Sequence, residues 1–235
     1  MNASVRVLVC CLLLLQFAYC LAQVPTKADI DKYGSKFIAT PNSEPDPTGC
    51  DFIIYCVNRE AALEILSKFH QSDKLEYEVE WGSIDAVRVW VRRGDTREEL
   101  EFGSVLRYAL NELSMTYRIE EGVVQLIHRG LPAYPISYSF DPPRVETSEN
   151  TVTILENKAN SLDYLAAVLS QREIGYHVFQ AKGQEIELLL RRRSLRYVLD
   201  QIDALDNGLQ IDWINGVSVT RQSDLREPGS NPPDH

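Results

Sequence analysis

One stretch of this chain is written twice. Residues 62–94 lie on residues 161–193 without a gap, at a constant spacing of 99 positions. Leu63 falls on Leu162, Leu66 on Leu165, Tyr77 on Tyr176, Val79 on Val178 and Arg92-Arg93 on Arg191-Arg192. After ten additional residues in the first copy, around Asp95 to Phe102, the spacing drops to 89. Leu106-Arg107-Tyr108-Ala109-Leu110 then lies on Leu195-Arg196-Tyr197-Val198-Leu199. A repeat of this length redefines every later assignment, because both copies are expected to take one topology.

Each copy reads strand, helix, strand, strand, helix, strand, strand. Ala62, Ile65, Leu66 and Phe69 recur at helical spacing, as do Leu162, Leu165, Val168 and Leu169, which leaves one apolar face on each first helix. The segments that follow alternate with period two. Tyr77 and Val79 precede Val87, Val89 and Val91, answered by Tyr176 and Val178 before Ile186, Leu188 and Leu190, and both sets are expected to form half-buried hairpins. The second helix has Leu106, Ala109, Leu110 and Leu113 in one copy and Leu195, Val198, Leu199 and Ile202 in the other. Closing hairpins turn through Glu121-Gly122 and Asn215-Gly216, the latter a strong signal because both turn residues take positive φ. The expected architecture is α+β: two tandem small βαββαββ domains, each a small mixed sheet with two helices.

Boundaries follow from what lies outside the repeats. Residues 1–22 carry Arg6 and the apolar run Val7 to Leu15, about half of the ~20 residues a membrane span needs, so they read as a signal peptide cleaved after Ala22. Residues 23–50, with Pro25, Pro41, Pro45 and Pro47, read as a flexible leader. Repeat one is set at 51–130, a proline-rich linker at 131–150, repeat two at 151–221 and a disordered tail at 222–235. Tyr134, Tyr138 and Phe140 in the linker read as surface-packing aromatics.

The shared pattern resembles the short N-terminal domain of secretins and TonB-dependent outer-membrane transducers. The matching residues are Val87 to Val91, Leu106 to Leu113 and Tyr117 to Ile127 in copy one, and Ile186 to Leu190, Ser194 to Ile202 and Leu209 to Val219 in copy two. The resemblance implies a bacterial periplasmic module that docks other envelope proteins. It is a hydrophobic framework and brings no reactive residues with it.

Reactive chemistry is hard to find in the sequence itself. His70, His128, His177 and His235 lie far apart, outside any metal-ligand or nucleophile motif, and read as surface or edge histidines. No catalytic, cofactor-binding or metal-ligating set is expected, and no cofactor. Cys56 lies within the strand-like Phe52 to Val57 and Cys50 just before it, so a fully extended chain would hold their Cα atoms ~20 Å apart, too far for a bridge. Cys56 then reads as a buried hydrophobe and Cys50 as a loop thiol open to an intermolecular bond. Glu76, Glu78 and Glu80 read as the solvated face of a strand.

One polar feature recurs. Arg92-Arg93 and Arg191-Arg192-Arg193 end the third strand of each copy. They either are neutralised by nearby acids or form a docking point for a carboxylate-bearing partner, and Arg92, Arg93, Arg191 and Arg192 are the candidate partner-binding residues. With 24 Lys plus Arg against 34 Asp plus Glu, the net charge of −10 argues against nucleic acid as a partner. Stable membrane insertion is not expected once the signal peptide is gone. The expected function is a periplasmic or secreted, non-enzymatic docking module for envelope proteins. The alternative is a sensory module for a small molecule or glycan.

Overall fold

A computed structural model describes residues 25–33, 36–42, 49–92, 101–121, 123–128, 142–155, 158–213 and 216–221. In chain order the first elements are α1 (Lys27–Tyr33), β1 (Phe37–Pro41), β2 (Phe52–Cys56), α2 (Arg59–Phe69), β3 (Leu75–Glu80) and β4 (Asp85–Val91), then α3 (Phe102–Glu112), β5 (Met115–Glu120) and β6 (Val123–His128). There follow β7 (Val145–Thr147), β8 (Val152–Ile154), β9 (Ala159–Asn160), α4 (Ser161–Gln171), β10 (Tyr176–Phe179), β11 (Glu185–Ile186) and β12 (Leu190–Arg193), then α5 (Leu195–Leu205), β13 (Leu209–Asp212) and β14 (Val217–Arg221). The fold is α+β. The signal peptide, Arg93, the three linker aromatics and the tail after Arg221 lie outside the described residues.

The chain divides into two compact units that cut across the repeat boundaries: residues 1–62 with 82–136, and residues 63–81 with 137–235. In the first unit the strands run β4-β2-β1-β6-β5, paired antiparallel. The residues read as a flexible leader supply α1 and the third strand of this order, β1. Prolines suggested a coreless segment, but Ile30, Phe37, Ile38 and Ala39 are buried, and Ile30 and Ile38 pack with Tyr55 and Ala86. Leaving that surface in water would forfeit ~25 cal/mol per Å². The amphipathic α3 buries Val105, Leu106, Ala109 and Leu110, as its spacing predicts.

The second unit holds a four-stranded run β13-β14-β10-β3 that is mixed, because β10 pairs parallel with β14 and antiparallel with β3. A three-stranded antiparallel sheet, β12-β8-β7, packs its inner side on α4 and α5 through Val145, Val152, Ile154, Tyr164, Val168, Leu188, Val198 and Ile202. Part of the expected linker is therefore structural: β7 pairs with β8 and buries Val145. The hairpin expected between Tyr176 and Leu190 does not form. Both edges of β10 are already taken by β14 and β3, so β11 turns to β9 and β12 to β8, although Ile186 and Leu188 keep their alternating burial. Gly216, at φ +119°, supplies positive φ in the connection between β13 and β14.

Candidate functional site

In the second unit, the strand-end arginines occupy the outer strand of the three-stranded sheet. Arg191, Arg192 and Arg193 are all exposed. The register of β12 on β8 shifts between Leu190 and Arg193, and Arg192 takes φ 49°, with its N–H donating to Thr153 Oγ1 at 3.2 Å. This is a bulge. The Arg193 guanidinium lies over the Tyr197 ring, 5.1 Å from its centroid, and that of Arg196 lies 5.8 Å from the centroid of Trp213. Among the described residues none of these four arginines has a carboxylate partner. Arg191 and Arg192 come together on β12, whereas Arg92 is an exposed residue of the first unit, just past β4.

Two polar clusters lie beneath the surface of the same unit. Asp206, fully buried, accepts from Ser161 Oγ at 2.6 Å, from Gln184 N–H at 2.9 Å and from Gly208 N–H at 3.0 Å. Asn160 beside it caps α4, accepting from Leu162 N–H and donating to Gly183 O. Ser161 donates to this carboxylate, but both side chains are fully buried, so the pair is placed to hold the fold and its hydroxyl is not presented to a substrate. These bonds fasten the start of α4 to the end of α5.

The other cluster escaped the sequence reading. His70, expected at the surface, is only 1% exposed, and its Nδ1 stands 2.7 Å from Asp163 Oδ1. Around it lie Tyr77, with ring centroid 6.0 Å away, and Tyr176, edge-on to Tyr77 at 6.4 Å. His70 Nε2 and both tyrosine hydroxyls are buried without a hydrogen-bond partner among the described residues. Burial pushes both phenols well above their usual pKa range, with the charge of Asp163 adding to the shift. A His-Asp pair could serve as a base, but here the imidazole is buried against aromatic rings and only the carboxylate side of the pair reaches solvent. One signal for it was present: His70 falls on Leu169, a buried helix residue, in the repeat alignment.

The first unit offers a different surface. β5 is the last strand of its sheet, with an unbroken register of six pairs to β6, and Ile119 on it is 63% exposed. A cavity of about 210 Å³ lies elsewhere in this unit, lined by Lys27, Asn58, Arg59, Ser83 and Asp85 among others. Arg59 Nε donates to the buried Asp85 carboxylate at 3.0 Å, which ties α2 to β4. Among the described residues neither Cys50 nor Cys56 is in a disulfide, and both are buried. The thiol of Cys50, pushed up to about 11 by burial, is not the open loop thiol expected.

The glutamates of β3 are only partly solvated. Glu76 and Glu78 are half-buried, Glu80 is exposed, and Gln180 Nε2 donates to Glu76 at 3.3 Å. Among the described residues, no group of three or more His, Cys, Asp or Glu side chains is placed to hold a metal ion, and no helix is long and apolar enough to cross a membrane. No protein-family model, curated protein or solved structure matches the chain.

Proposed function

We propose that this protein is a non-enzymatic docking module of the bacterial cell envelope, periplasmic or secreted, that binds other envelope proteins. The observation that carries the reading is the outer edge of β5. Among the described residues β5 pairs only with β6, runs six residues without a bulge and presents Ile119 to solvent. Such an edge is a template for a partner's strand, whose main-chain hydrogen bonds supply affinity while an apolar side chain such as Ile119 supplies specificity. The resemblance of the sequence pattern to secretin and transducer N-terminal domains points the same way. Arg92, Arg93, Arg191 and Arg192 are assigned to steering, which governs on-rate and orientation.

The alternative, a sensory module for a small molecule or glycan, draws on the cavity beside Arg59. Its 210 Å³ falls below the ~300–1,000 Å³ of ordinary ligand pockets, and an internal ion pair occupies its wall, so docking is the better reading.

The test is to recover a binding protein from envelope extract with the full chain, identify it, and follow hydrogen exchange in the purified complex. The docking reading expects slowed exchange of the 115–120 amides and weaker capture by Ile119→Glu, a change at an exposed side chain. A complex that leaves those amides unprotected, or a small-molecule ligand in place of any protein, would sink it.

A further inference from the structure

We propose a second docking site, the outer face of the β12-β8-β7 sheet, whose occupant is an acidic segment of a partner protein in which carboxylates flank a leucine-like side chain. The inference rests on the docking reading above and gives one interaction surface its own chemistry.

Alternation defines the face. Ile154 and Leu188 point into the core and Leu190 packs against it, so Leu155 and Leu189 are left outside, 46% and 59% exposed. Leu190 stands opposite Ile154, and Leu189 and Leu155 follow at the same end of that ladder. Leu155 N–H donates to Arg144 O at 2.8 Å, which continues the row to an exposed arginine. Two solvent-facing leucines thus sit side by side with Arg144 at one end and Arg191 and Arg192 along the neighbouring strand, whereas Arg193, opposite the buried Val152, turns to the side of α5. Glu146 of β7, on the same face, pairs with none of them.

Charge complementarity selects the occupant. A chain with 34 acids and 24 bases has carboxylates to spare, yet these arginines hold none of them among its described residues. Arg191 and Arg192, exposed on β12, offer guanidinium edges for a bidentate carboxylate. Strand addition is not the mode here. The bulge and the left-handed Arg192 break the edge of β12, and cationic side chains along an edge discourage in-register pairing, so side chains do the recognising. An extended anionic surface such as a lipid bilayer is disfavoured because the whole molecule, at −10, is repelled by it, whereas a short acidic segment meets mainly the local field within a Debye length of ~10 Å.

The test uses the full chain and a fluorescent peptide with the core Asp-Asp-Leu-Asp-Asp between Gly-Ser flanks, read by anisotropy. Binding is expected at low salt, weakening about tenfold as salt rises from ~50 to ~300 mM. Replacing every Asp by Asn, or the Leu by Ser, should each weaken it, as should the exposed-site variants Arg191→Glu with Arg192→Glu, by about tenfold or more for the charge reversals. Ile119→Glu should leave the peptide's affinity unchanged. No binding, equal binding of the Asn peptide, or a parent-like double variant overturns the proposal. So does stronger binding to vesicles of phosphatidylglycerol and phosphatidylcholine than to the peptide. Because β5 is read separately by its amide protection, loss of one site with survival of the other shows which proposal has failed.

Discussion

At the scale of single residues, burial sets how this protein responds to pH. His177 stands opposite Glu78 across the β10-β3 pair, and burial pulls its pKa below the ordinary 6.5, with the carboxylate of Glu78 opposing. The unfolded chain therefore binds this proton more readily than the folded one, so the stability tied to neutral His177 is complete above pH 6.5 and lost as pH falls below it. Denaturant midpoints should drop between pH 7.5 and 5, and His177→Gln should flatten that slope; an unchanged slope would show that His177 does not set it. Tyr77 and Tyr176, both raised, act at the other end: their contribution holds below the ordinary phenol value of 10.0 and is lost as pH rises above it. Cys50 should resist a thiol reagent at pH 8 until the chain unfolds, and rapid labelling of the native protein would contradict its burial. Removing Asp163 strands the Nδ1 of an imidazole that is 1% exposed, while removing His70 strands only a carboxylate that is 17% exposed and can reach water. Asp163→Ala should thus cost ~1–3 kcal/mol and His70→Leu less, an order that paired urea titrations would check. None of this was legible from residue types alone, since a histidine carries no mark of its depth; only its alignment with Leu169 placed it inside.

At the scale of elements, the helices were the most legible part of the sequence, because a stripe at i, i+3, i+4 and i+7 has few other physical causes. Leu110 and Leu199 are each 1% exposed on α3 and α5, at equivalent positions of the repeat. An aspartate at either would bury an unpaired charge, and Leu110→Asp or Leu199→Asp should cost more than ~3 kcal/mol. Native circular dichroism with an unshifted melting curve would show that the helix is placed wrongly. Strands were harder, since period two reveals which side chains go inside and says nothing of which edge meets which. That is why Ile186 and Leu188 were read correctly as inward residues and wrongly as the partner of β10. The caps were invisible for a different reason. Asn160, Ser161 and Asp206 meet only after folding, and a Cβ at Gly183 would fall 2.7 Å from Ser161 Oγ. Gly183→Ala should therefore disturb the bonds that join α4 to the residue closing α5, at ~1–2 kcal/mol, close to the cost of losing a cap.

At the scale of the whole molecule, the division of the chain cuts across the boundaries of the sequence repeat. Residues 63–81 belong to copy one by sequence and to the second unit by packing, because β3 pairs with β10, its counterpart in copy two. The register has a symmetry of its own. Tyr77 faces Val178 and Val79 faces Tyr176, while Tyr77 and Val79 align in the repeat with Tyr176 and Val178, so the pairing is isologous about Glu78 and His177. Two equivalent strands meet here as the matching edges of a symmetric dimer would. It follows that a chain starting at residue 142, deprived of β3, presents on β10 an edge already complementary to itself. Light scattering should find it dimeric at neutral pH, and a peptide of residues 74–81 added in excess should occupy the edge and return it to monomer. Acidification should weaken the dimer as well, since two His177 side chains would then bring like charges to the axis. A folded monomer without the peptide would show that β10 does not need a partner, and that the shared register of β3 and β10 is a consequence of the repeat rather than the reason the two copies associate.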